Sequence, residues 1–179
     1  MRSFKLVALT TAIAVGGTVA ATASSSAADS SASSRQSVFH ARLTGYEEDP
    51  LVLSTAGSGM LKAVVNDKAQ EISYRLTYAK LGTVTQSHIH FGGRAQSGGV
   101  SAFLCAGPGS GAPAGTPVCP ATGGTVTGTI KPAAVVGPAG QGIAPGDFAA
   151  LVAAIRAGKT YANVHTAAHP GGEIRGQLR

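Results

Sequence analysis

The chain has no tryptophan, few aromatic residues of any kind and only 12% charged side chains. With so little charge and so few rings, no basic block interleaved with aromatics forms anywhere, which argues against a nucleic-acid binder. No GxSxG turn, Walker-type phosphate loop or HExxH helix occurs, so no sequence-local catalytic arrangement is visible. Long apolar runs are almost absent too. The one near the start, Leu6 to Ala21, is interrupted by Thr10, Thr11, Gly16, Gly17 and Thr18, which makes it weak as a membrane span. Cysteine occurs only twice and in no CxxC spacing, which argues against metal ligation by the cysteines.

What remains is glycine, alanine and small polar residues, a lean and loop-rich composition that suits short strands. The apolar run is preceded by Arg2 and Lys5 and followed by Ala21-Thr22-Ala23, the three parts of a secretory signal, with Ser26-Ala27-Ala28 as an alternative cleavage site. Export with removal of residues 1–23 is therefore expected, and no cysteine follows to carry a lipid anchor. Of the formal charge of +6, two belong to that leader, which leaves about +4 spread thinly. Residues 24–37 are Ser/Ala-rich and read as a flexible linker. The remainder, 38–179, is one domain large enough for a real core.

Cys105 and Cys119 bracket a stretch dominated by glycine, proline, alanine and serine that can form neither a helix nor a core face. In an exported protein the simplest reading is a disulfide closing that loop. Eight segments read as strands: Val38 to Leu43, Gly59 to Val65, Ile72 to Tyr78, Val84 to Phe91, Val100 to Leu104, Thr125 to Ile130, Tyr161 to Thr166 and Glu173 to Leu178. Asn66-Asp67-Lys68 supplies a turn that makes the second and third a hairpin. Short strands between Gly/Pro turns argue for an antiparallel β-sandwich or partly closed barrel. One helix breaks the rhythm, at about Pro145 to Ala157, where Phe148, Leu151, Val152 and Ile155 form a single apolar stripe.

His88 and His90 stand two apart on one expected strand, so both imidazoles project from the same face. His165 sits on another expected strand. If those strands are neighbours, three ring nitrogens converge on a site for copper or zinc, with His169, water or a carboxylate as a further ligand. The alternative is a hydrogen-bonded cluster that only packs. Glu173 and Arg175 share a face of the last strand and read as a cross-strand ion pair, worth well under about 1 kcal/mol if exposed. Their sharper role is behind the site, with Glu173 accepting a free imidazole N–H. His40 is isolated and reads as ordinary surface.

Those residues also carry a family likeness. His88-Ile89-His90-Phe91-Gly92, Arg156-Ala157-Gly158-Lys159-Thr160-Tyr161, Asn163-Val164-His165-Thr166 and the terminal Gly172-Glu173-Ile174-Arg175-Gly176-Gln177-Leu178 resemble the chordin-type, or CHRD, domain. Leu43-Thr44-Gly45 and Glu47-Glu48-Asp49-Pro50 resemble that family's first strand and acidic-proline turn. The resemblance implies an extracellular β-sandwich-like binding module, found in animal proteins that bind secreted growth factors and alone in many exported bacterial proteins. It implies no reaction. A shorter likeness, to copper-zinc superoxide dismutase, aligns His88, His90, His165 and Arg175 with that enzyme's copper ligands and terminal arginine. No histidine lies between His90 and His165 to bridge to a second metal. Three function classes follow: an exported binding module for a metal ion, an extracellular protein or a wall component; a small copper redox enzyme; or a structural surface protein whose histidines only pack.

Overall fold

The computed structural model describes residues 36–179. The expected leader and residues 24–35 of the expected linker lie outside the described residues. Gln36 and Ser37, expected to end the linker, already pair with Asn66 and Val65.

Eight antiparallel strands make one sheet: β1 (Gln36–Thr44), β2 (Ser58–Asn66), β3 (Glu71–Ala79), β4 (Val84–Phe91), β5 (Val100–Ala106), β6 (Gly124–Ile130), β7 (Thr160–Thr166) and β8 (Ile174–Gln177). Their order across the sheet is β5-β4-β7-β8-β1-β2-β3-β6. The sheet curls into a nearly closed barrel, the second of the two architectures expected, rather than splitting into two packed layers. Each strand matches its expected segment to within two residues at either end. On β3 the alternation is strict: Ile72, Tyr74, Leu76 and Tyr78 are buried, while Ser73, Arg75 and Thr77 face out. The β2–β3 turn closes on Asn66, whose side-chain oxygen accepts the Ala69 N–H at 3.1 Å, and on Gln70 in the left-handed region at φ 48°.

The barrel's two edges, β5 and β6, are drawn together by side chains rather than by a strand ladder. Tyr74 reaches from β3 through the interior and donates to the Leu104 carbonyl on β5 at 2.6 Å. Gly128 on β6 makes room for it, since a Cβ there would stand 2.3 Å from the Tyr74 hydroxyl. Cys105 on β5 is disulfide-bonded to Cys119 just ahead of β6, and Ala106 pairs with Val118 beside it. The expected disulfide thus forms, at the seam.

Helix α1 (Phe148–Arg156) lies inside the expected span and begins later, because Gly146 turns the chain at φ 83° and Asp147 caps the first turn by accepting the Ala150 N–H at 2.9 Å. Gly158 at φ 64° ends it, with Lys159 N–H donating to Ala154 and Gly158 N–H to Ile155, both at 2.9 Å. Phe148, Leu151, Val152 and Ile155 are all buried in the single core. No helix among the described residues is long and apolar enough to cross a membrane.

Candidate metal centre

Strands β4 and β7 are neighbours, with His88 opposite Asn163 and His90 opposite Tyr161. Opposite residues of an antiparallel pair share a face, so His165, two beyond Asn163, lies diagonal to His88 on that face. On β8, Arg175 is opposite Asn163 and Gln177 opposite Tyr161. One outer patch of three strands therefore collects His88, His90, Tyr161, Asn163, His165, Arg175 and Gln177, while Ile89, Ala162, Val164 and Ile174 fill the barrel beneath.

A polar outer face would ordinarily be wet. Here three loops cover it, and His88, His90, His165, Asn163 and Arg175 are all buried. Arg175 ties down one of them, donating to the carbonyls of Gly93 and Gln96 at 2.8 and 3.0 Å. Gln177 donates to Gly92, Gly158 and Thr160. Asn163 donates to both oxygens of buried Glu48 at 2.9 and 3.0 Å, holding the segment after β1 across the site. Irregularities in the β4–β5 pairing fall next to His88 and His90, a common device for re-aiming side chains.

The imidazoles converge. His88 Nδ1 and His165 Nε2 are 3.1 Å apart, and one ligand nitrogen from each of the three rings lies within 4.8 Å of the others. Second nitrogens are anchored on backbone: His90 Nδ1 stands 2.9 Å from the Gly98 carbonyl and His165 Nδ1 2.9 Å from that of Pro170. A carbonyl only accepts, so both Nδ1 atoms carry hydrogen and both Nε2 atoms present lone pairs. His90 Nε2 and His88 Nε2 are buried without any hydrogen-bond partner. Phe103 meets His88 edge-on at 4.5 Å, Tyr161 stacks on His90 at 4.8 Å, and the Arg175 guanidinium lies 3.6 Å from the centre of the Tyr161 ring.

Burial decides the charge of these groups. It pushes His88 down to about 2, assisted by the neighbouring His165 and His90, and His90 down to about 4 against the pull of its Gly98 bond. His165 is lowered for the same reason. All three rings are neutral at physiological pH, the protonation state a metal ligand requires. Glu48 is raised to about 7 by burial, although the Arg175 charge and the Asn163 amide pull it back.

The accessory residues stand elsewhere than expected. Glu173 accepts no imidazole N–H; its carboxylate takes hydrogen bonds from the Thr55 and Thr166 hydroxyls, each at 2.8 Å. Arg175 makes no pair with Glu173 and is not exposed, because the covering loops bury both; its nearest carboxylate oxygen belongs to Asp49 at 3.9 Å. His169 is half-buried and lines a cleft with Glu48, Asp49 and Pro170 instead of joining the three rings. His40 is exposed. Glu48 was not legible as part of the site, since 115 residues separate it from Asn163 and only the covering loop unites them.

The structure is thus a single-layer antiparallel barrel that carries one polar, loop-covered patch. The chain belongs to the CHRD domain family, whose sequence model matches residues 39–178. No curated protein and no solved structure matches the chain.

Proposed function

We propose that this CHRD protein is an exported binding module that holds one copper or zinc ion through His88, His90 and His165. One observation carries the reading: three neutral imidazoles bring one ligand nitrogen each to within 4.8 Å of the others, and the one His90 offers, Nε2, is buried with no partner. Leaving such a buried nitrogen unsatisfied costs about 1–3 kcal/mol, a cost that a bound ion removes. The spacing supports the same reading. Two nitrogens about 2.0–2.1 Å from one ion lie roughly 2.8–3.4 Å apart at angles near 90–110°, and His88 and His165 stand at 3.1 Å.

Gly98 and Pro170 would act behind the ligands, their carbonyls fixing the His90 and His165 tautomers so that Nε2 faces inward. Arg175 would hold the loop that carries Gly98. A bound copper ion would supply one-electron chemistry; nothing in the arrangement beyond Arg175 and Tyr161 resembles a substrate-handling set, which places binding ahead of a superoxide dismutase-like reaction. The disulfide at the seam favours an oxidising, extracellular setting, in line with the signal-like leader.

Calorimetric titration of untagged protein should show one copper or zinc ion bound per chain, and His88→Ala and His165→Ala should each abolish it. Unchanged binding in both variants would return the histidines to a packing role.

A further inference from the structure

We infer that this site, taking the metal-binding reading above as its basis, is built for copper(I) held by three imidazoles alone, in preference to zinc(II) or copper(II). Three features of the patch point to it: the number of donors, the exclusion of solvent and the charge of the surroundings.

The donor count stops at three. Among the described residues, only His88, His90 and His165 bring ligand atoms together. The carboxylates bordering the patch are engaged by other groups, Glu173 by the hydroxyls of Thr55 and Thr166, Glu48 by the Asn163 amide and Asp49 by the Ser97 hydroxyl. His169 has its ring in the neighbouring cleft. One further oxygen lacks a partner, Asn163 Oδ1, but it faces Gly172, where an added Cβ would stand 2.8 Å from it. An amide oxygen is in any case a hard donor, poorly matched to a soft monovalent ion. Zinc(II) almost always takes four ligands, completing a three-histidine set with water or substrate. Copper(I), with the same filled d shell but half the charge, is satisfied by three nitrogens.

The rings are also shielded from bulk solvent. All three rings are buried, His90 Nε2 with almost no accessible surface, and Phe103, Tyr161 and the Gly98 and Pro170 loops pack against the rings. The charge balance acts in the same direction. All three ligands are neutral and no carboxylate reaches the ion position. The cost of burying an ion in such surroundings grows with the square of its charge, so a dication is penalised about fourfold more than a monocation. Spacing is compatible as well. Three nitrogens about 2.0 Å from a common ion in one plane are roughly 3.5 Å apart, and the present separations run from 3.1 Å to no more than 4.8 Å, so small ring movements close the set.

The test is an anaerobic titration of the full, untagged chain with copper(I) against a chromophoric copper(I) chelator, alongside competition titrations with zinc(II) and copper(II). X-ray absorption at the copper edge on the copper(I)-loaded protein would accompany it. The expected result is one copper(I) per chain, bound at least about 100-fold more tightly than zinc(II) or copper(II), with three imidazole nitrogens around the metal and no fourth light scatterer. His90→Ala and His165→Ala should each lose that copper(I) while keeping the wild-type far-UV circular dichroism; a variant that fails to fold is replaced by His90→Gln or His165→Gln under the same readout. Zinc(II) or copper(II) bound as tightly through the same histidines, or a four-ligand copper(I) shell, would overturn the copper(I) inference and leave the metal site standing. Absence of binding by all three ions would overturn both.

Discussion

At the residue scale, the site is an exchange of stability for a poised set of neutral bases. Three buried imidazoles hold their protons less readily than in the unfolded chain, where a histidine titrates near 6.5. Between about 6.5 and about 4 the unfolded state therefore binds more protons, and stability falls as pH falls, by about 1.4 kcal/mol per pH unit for each ring fully engaged. Glu48 acts in the opposite sense. Its folded value of about 7 lies above its ordinary 4.5, so acidification through that window favours the folded state by a comparable slope. Three rings outweigh one carboxyl. Denaturant unfolding of the chelator-treated protein should show stability dropping between pH 6 and pH 4.5, at a slope that His88→Phe reduces; a flat profile would mean that the rings are hydrated. Arg175 offers a second residue-level prediction. Truncating it to Ala leaves the Gly93 and Gln96 carbonyls without their donor in a buried setting, and the expected loss is about 3 kcal/mol or more, read from the same unfolding curves.

At the element scale, alternation and stripe each correspond to a buried face, because both faces of their meaning are local. Ile72, Tyr74, Leu76 and Tyr78 all point inward on β3, and Phe148, Leu151, Val152 and Ile155 all point inward on α1. Leu151 has no exposed surface. Leu151→Ala should cost about 2–5 kcal/mol, the spread reflecting how far the surrounding core can relax into the cavity. A thermal or chemical unfolding midpoint within error of wild type would contradict the packing of α1 against the barrel. Strand β4 marks where the alternation rule stops working. From Ser87 to His90 every residue is buried, since loops cover its outer face while the barrel core takes the inner one. Alternation assigned His88 and His90 correctly to the face opposite Ile89, yet it offered no sign that this face would be dry.

At the scale of the whole molecule, closure of the barrel depends on contacts between distant segments. The seam between β5 and β6 has the Cys105–Cys119 bond, the Tyr74 hydroxyl on Leu104 and the Ala106–Val118 pairing, but no continuous ladder. Reducing the disulfide should therefore lower stability by about 3 kcal/mol in the chain-entropy account, and should do so reversibly on reoxidation. Mass spectrometry of the secreted protein should find a chain shortened by about two dozen residues and lighter by two hydrogens for the bond. Free thiols at Cys105 and Cys119 in that material would remove the seam's covalent tie and, with it, the argument for an oxidising setting.

The sequence by itself determined the strands, the capped helix, the disulfide loop and the pairing of His88 with His90, because each rests on periodicity or spacing within a few residues. The likeness of its motifs to the CHRD family, carried by short strings such as Asn163-Val164-His165-Thr166, was equally legible. Tertiary structure alone decided that β4 lies beside β7, which brings His165 to within 3.1 Å of His88, and that β8 follows β7 to set Arg175 against the same patch. It also decided that loops from three distant parts of the chain bury that patch. Register and loop cover are long-range properties, fixed by the packing of a whole sheet, and no local pattern records them.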